Sequence, residues 1–137
     1  MARLGVMRRR RQIDPLARQL ALEIAAGRIA IGIGAMLATR PALKALGFGQ
    51  IDSADMALGR MAGARDLALG LLTVAARNDA ANLRTVVLAA AAVDAADAVA
   101  FGFAARDPET RRAGVGGGVA GAAAAVFGAW AWHRLGS

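Results

Sequence analysis

Asp94 and Asp97 stand three positions apart in residues 83–105, a run that is otherwise apolar and long enough to cross a membrane. The apolar run before it carries the complement, Arg60, Arg65 and Asp66, within ALGRMAGARDLALG. Arg28 interrupts the run before that. Charge at membrane depth is expensive, and helices carry it when it is paired or used. Two chemistries follow from these residue types: ion pairing between helices, and a carboxylate that holds or passes a proton.

At about 1.5 Å rise per residue, Asp94 lies roughly 15 Å and Asp97 roughly 19 Å from the inner end of their helix. Arg65 and Asp66 lie roughly 13 and 15 Å from the outer end of theirs, and Arg60 only roughly 6 Å. Arg28 lies roughly 12 Å from the inner end of the first run. Arg28, Arg65, Asp66, Asp94 and Asp97 are therefore expected near the midplane, with Glu23 closer to the inner surface. A short connection makes the second and third runs antiparallel neighbours, which puts Arg60 and Arg65 within reach of Asp94 and Asp97. Leaving aside Arg84, which stands at the inner boundary of the third run, the charges of the first three runs sum to −1: +3 from Arg28, Arg60 and Arg65, −4 from Glu23, Asp66, Asp94 and Asp97. One carboxylate lacks a formal partner, and a protonatable aspartate at mid-membrane is the sharpest chemistry implied. The plainer reading is that Arg–Asp pairs hold the helices in register.

The elements that position these groups follow from composition. The chain has 137 residues, 57% of them hydrophobic but only 4% aromatic, so Ala and Gly supply the bulk. Such a chain lacks the large side chains of a water-soluble core. It has instead the small residues that let helices approach closely in lipid. The expected fold is all-α: a four-transmembrane-helix bundle, up-down-up-down, with spans at about 20–39, 56–76, 83–105 and 113–132. Residues 20–135 form the single membrane domain, and residues 1–19 a basic cytoplasmic arm. A soluble Ala-rich bundle is the rival, because the second and third runs are poor membrane helices alone.

Boundaries are marked. Arg40-Pro41 ends the first span, since proline disfavours a helical residue before it. Asp52 and Ser53 are candidate N-caps for the second, and Arg77-Asn78-Asp79 separates it from the third. Asp107-Pro108-Glu109 reads as an N-cap with proline at the first helical position. Residues 41–50, with Gly47 and Gly49, read as an interfacial connection.

Net charge is +7. Arg3, Arg8, Arg9, Arg10, Arg11 and Arg18 precede the first span, and with Arg77, Arg84 and Arg134 they make nine basic residues on one side. Arg40, Lys44, Arg106, Arg111 and Arg112 make five on the other. Basic residues accumulate on the cytoplasmic side, so both termini are expected there. The arginine arm is expected to touch anionic lipid headgroups; it lacks the aromatic platform of a nucleic-acid binder. Trp130, Trp132 and His133 fall at the inner boundary, where amphipathic rings settle.

Small residues define two faces: Gly59, Gly63, Asp66 and Gly70 on the second span, and Gly114, Gly118, Gly121, Ala125 and Gly128 on the fourth. Both contain GxxxG, which permits close crossings within a subunit or between subunits. Gly116, Gly118 and Gly121 spell GxGxxG, but no strand precedes them, which argues against a dinucleotide site. With one histidine and no cysteine, neither a zinc nor a haem site is expected, and no cofactor or catalytic set is assigned. Asp66, Asp94 and Asp97 as a hard-cation site are opposed by the neighbouring arginines.

The pattern Arg60-x-x-Gly63-x-Arg65-Asp66-Leu67-x-Leu69-Gly70, with Val93-Asp94-x-x-Asp97, resembles that of small bacterial four-helix membrane proteins of unassigned function. The resemblance covers roughly residues 27–105. GRIAIGIGAMLATRPALKALGF is more weakly similar to the opening helix of DoxX-like proteins. The resemblance implies the architecture and a multi-pass place in a bacterial inner membrane, and no activity. The first expectation for function is a non-catalytic accessory, assembly or self-associating subunit held by the Arg/Asp network, as a homo-oligomer or within a larger complex. The second is a small oligomeric proton-coupled transporter or channel using Asp94 and Asp97. The third is a lipid-modifying enzyme with one of them as general base.

Overall fold

The structure, a computed structural model, describes residues 14–136. They form five helices: α1 (Pro15–Leu37), α2 (Thr39–Leu46), α3 (Ser53–Ala75), α4 (Ala80–Ala104) and α5 (Arg111–Gly136). Among the described residues there is no strand, so the fold is all-helical.

The start of each of the first three long helices is written locally. The Asp14 carboxylate accepts from the N–H groups of Leu16 and Ala17, and Pro15 opens α1 without needing a donor. Asp52 and Asp55 form a reciprocal capping box at α3, which begins three residues before the expected Met56. Asp79 caps α4 through Ala81 and Asn82.

α1 also begins at Pro15, inside the arm expected over 1–19, and α5 runs from Arg111 to Gly136 where 113–132 was expected; two further boundaries differ in their cause. α1 breaks at Ala38 rather than at Arg40-Pro41. Pro41 has no N–H to give the Leu37 carbonyl four residues back, and its ring would clash there. The proline is tolerated in the first turn of the eight-residue α2, which ends at Gly47 in the left-handed region, φ 100°. Asp107 does not cap α5. Its carboxylate accepts from Glu109 N–H inside a turn, and Thr110 Oγ1 donates back to the Ala104 carbonyl at 2.7 Å. The turn is thereby tied to the end of α4, and α5 starts only at Arg111.

The long helices associate as two antiparallel pairs, α1 with α3 and α4 with α5. Consecutive α3 and α4 touch only sparsely, so they are not the close neighbours that their short link suggests. The reason is where the small residues point. A Cβ on Gly63 would lie 2.9 Å from the Gly32 carbonyl, and one on Gly70 2.8 Å from that of Ala25, both on α1. Gly59 meets Thr39 and Leu43 in the same way. On α5, Gly114, Gly121 and Gly128 lie against α4, at Ala105, Asp94 to Ala98, and Ala91. Gly118 packs more loosely there, and Gly117 makes room for the Phe101 ring. Both glycine faces are thus occupied inside the chain.

The pairs join at the end where α1 and α4 begin and α3 and α5 finish. Ala17, Ala21, Ala76, Leu83, Val87, Ala131 and Leu135 form the core there, with Trp130 and Trp132 against it. The Arg84 guanidinium stacks 4.5 Å above the Trp132 ring. Elsewhere the buried residues are mostly Ala and Gly, with Leu43, Thr39, Thr73, Arg28 and Asp94 among them, while large apolar side chains such as Leu37, Leu58, Met61, Val99, Val126 and Phe127 face outward. Such an apolar exterior is suited to lipid. α1, α4 and α5 are long and apolar enough to cross a membrane. α3 is the long helix with Arg60, Arg65 and Asp66 in its body.

Candidate functional site

Arg28 sits in a stripe of buried small residues on α1: Ala17, Ala21, Ala25 and Gly32. That stripe brings the α1 backbone closest to its neighbours, so the guanidinium emerges where α3 and α4 are both in reach. Its Nη1 donates to Asp66 Oδ1 on α3 at 2.8 Å, and its Nη2 donates to Asp94 Oδ2 on α4. Arg28 is 8% exposed and Asp94 7%. Two ionised groups so far from water are stable only when paired and hydrogen-bonded, as here.

Arg65 makes the second link. It grips Asp97 with a two-pronged fork, Nη1 to Oδ1 at 2.8 Å and Nη2 to Oδ2 at 2.6 Å. Planar guanidinium and carboxylate match in that geometry, which fixes orientation as well as distance. The same Nη2 lies 3.7 Å from Asp66 Oδ1. The result is one alternating row, Asp94–Arg28–Asp66–Arg65–Asp97, across α1, α3 and α4. Its sum is −1: +2 from two arginines and −3 from three aspartates. The Nε atoms of Arg28, Arg65 and Arg84 are buried without a hydrogen-bond partner.

Of the residues singled out in the sequence, Arg28, Arg65, Asp66, Asp94 and Asp97 come together, and Arg60 does not. Arg60 is exposed and makes no ion pair with Asp94 or Asp97. Five residues before Arg65, it is turned about 140° around the helix. Arg28 takes the place expected for it beside Asp94. Asp66 shares the glycine face of α3 that packs on α1, which is why it meets Arg28. Glu23 is exposed and accepts from Gln19. Arg3, Arg8, Arg9, Arg10 and Arg11 lie outside the described residues. Arg18 donates to the Arg77 carbonyl and to Asn78, pinning α1 to the α3–α4 turn.

Beside the network the two helix pairs part to leave a cleft of about 570 Å³. Arg28, Arg65, Asp66, Asp94 and Asp97 line it, and its remaining walls are mostly apolar, including Ile31, Leu43, Phe48 and Phe101. Asp55, at the start of α3, lines it too. The sequence gives Phe101 away in one respect only, since it stands one turn beyond Asp97 on the same face of α4. Phe48 and Asp55 carry no such signal, because the fold of residues 38–53 brings them to the cleft. The GxGxxG glycines lie within α5, with no strand before them among the described residues. Among the described residues no group of three or more His, Cys, Asp or Glu is arranged to hold a metal ion. The site pairs charge and leaves an apolar space beside it.

Compared with family models, with curated proteins and with solved structures, the chain matches none.

Proposed function

We propose that the chain is a four-span, non-catalytic membrane protein, an accessory or assembly subunit of a bacterial inner membrane, in which the Arg/Asp row fixes the helices as a set. One observation carries this. The ion pairs of the row run from Arg28 on α1 to Asp66 on α3 and Asp94 on α4, and from Arg65 on α3 to Asp97 on α4. α3, the helix least suited to lipid alone, has Asp66 met from α1 and Arg65 met from α4. It serves as the second of four spans because α1 and α4 supply partners for its two central charges, Asp66 and Arg65. The nine basic residues against five put both termini in the cytoplasm. Because the glycine faces are filled internally, self-association uses the outward Leu, Val and Phe surface.

Expression of the full chain with Asp94→Asn and with Asp97→Asn tests the proposal. Lower yield of folded, membrane-inserted protein is expected from each. Wild-type assembly of both variants, accompanied by loss of a proton-dependent flux in liposomes, would overturn it. A second reading, passage of a small molecule, draws on the cleft beside the row.

A further inference from the structure

The charged side chains lining the cleft are Arg28, Arg65, Asp55, Asp66, Asp94 and Asp97, which sum to −2 (+2 − 4). The lining adds one polar hydroxyl, that of Thr39, and it already donates to the Ala35 carbonyl at 2.7 Å. An anion would meet surplus negative charge here. A small inorganic cation would have to exchange its water for several oxygen ligands, and the carboxylates of Asp66, Asp94 and Asp97 are already engaged by guanidinium groups, that of Asp55 by the Asp52 N–H. A cation with an apolar body meets neither objection. Its charge offsets the surplus, and its body removes apolar wall from contact with water or lipid. Phe48 and Phe101 add ring faces, to which organic cations are attracted. The volume of about 570 Å³ is that of a small-molecule site.

Within the row, Asp97 is the accessible end. Its side chain is 28% exposed, against 10% for Asp94. Asp55 adds a further negative charge to the lining, at the start of α3. We infer that the cleft binds a monovalent organic cation with a compact apolar body, its charged centre beside Asp97 and Asp66 and its body along Leu43, Phe48 and Phe101. This takes the charge row as assembled in the bilayer, as proposed above.

Two probes of one shape and opposite charge test it: tetraphenylphosphonium and tetraphenylborate. The full chain in phosphatidylcholine nanodiscs is dialysed against each, with empty nanodiscs subtracted. Phosphonium retention is expected to exceed borate retention by at least roughly tenfold. Ala120→Phe, at an exposed cleft-lining position, fills the space without touching the charges and is expected to abolish retention. Asp97→Asn brings the row to zero and lowers phosphonium retention at least roughly tenfold. Arg65→Gln with Asp97→Asn returns the row to −1, and retention returns with it. Equal retention of the two probes overturns the inference. So does undiminished binding in Ala120→Phe, or a double variant that binds no better than Asp97→Asn. Helicity and monodispersity of each sample report on assembly separately: a well-assembled chain that ignores phosphonium removes the site and leaves the assembly reading standing.

Discussion

Arg28 and Asp94 belong to different helix pairs, are each more than nine-tenths buried, and are bonded to one another. α1 packs mainly on α3, and α4 mainly on α5. The bond therefore spans the seam between two units that otherwise meet chiefly at one end, around Leu83. Arg28 also holds Asp66, so its loss leaves Asp94 without an ion-pair partner and Asp66 with only Arg65, at 3.7 Å.

Removal of that guanidinium is expected to be the most damaging single change in the network. Arg28→Met should lower stability in detergent by about 3–5 kcal/mol, the usual result of leaving a buried charge without its partner. Arg28→Met combined with Asp94→Leu should be less damaging, because an apolar pair of similar volume replaces the ion pair. Thermal unfolding followed by circular dichroism checks both. A double variant as unstable as the single one would mean that the pair acts through something other than its charges.

The Arg65–Asp97 fork should survive reversal. Arg65→Asp and Asp97→Arg each place like charges together, whereas the double exchange restores opposite ones. Recovery of about 1 kcal/mol or more is expected in the double variant, in line with polar contacts between membrane helices. The gain is kept small because the Arg65 side chain is 37% exposed. A double-mutant cycle of folded yield gives the number, and additive losses would rule the pairing out as a determinant of assembly.

Glycines of the same type should respond in opposite ways. At Gly32 a Cβ would sit 2.6 Å from the Gly63 carbonyl oxygen and 2.7 Å from Leu67 N, both backbone atoms that cannot step aside alone. Gly32→Ala is therefore expected to lose about 1–3 kcal/mol through forced separation of α1 and α3. At Gly116 a Cβ meets nothing within 4 Å. Gly116→Ala should be neutral, or gain up to about 1 kcal/mol from helix propensity. Melting temperatures of the two variants, measured side by side, decide the matter.

Insertion of α3 should depend on its partners. Presented alone to an insertion assay, residues 53–75 are expected to fail, since a central Arg or Asp costs about 2.5–3.5 kcal/mol. Arg65→Leu with Asp66→Leu should allow the isolated segment to insert. In the full chain the same substitutions should lower folded yield, because Arg28 then loses one of its two partners and Asp97 loses Arg65. Glycosylation-site mapping reads both outcomes; efficient insertion of the unmodified isolated segment would contradict the dependence.

Much of this was legible because the signals are local. The carboxylates of Asp52 and Asp79 lie where they cap α3 and α4, and those of Asp94 and Asp97 lie about 60° apart on one helix face. What the sequence left open were the contacts between distant segments. The choice between Arg28 and Arg60 as the partner of Asp94 depends on which helices pair. That in turn depends on Gly32 meeting Gly63, a match of two small residues with many rivals in so Ala-rich a chain. The spacing of Ala17, Ala21, Ala25, Arg28 and Gly32 was the available clue, since it runs in steps of three and four along one face of α1. Asp107-Pro108 misled because the side-chain bond from Thr110 to Ala104 competes with the cap. The cleft was out of reach, being the space left where two pairs diverge.

The Arg65–Asp97 fork joins residues separated by 32 positions in the chain. At synthesis rates of about 5–20 residues per second, the arginine is made roughly 2–6 s before its aspartate. Through that interval the nascent chain holds Arg28, Arg65 and Asp66, a surplus of one positive charge that becomes a surplus of one negative charge once α4 arrives. In a chain that inserts as proposed, the row is therefore complete only once α4 has been made.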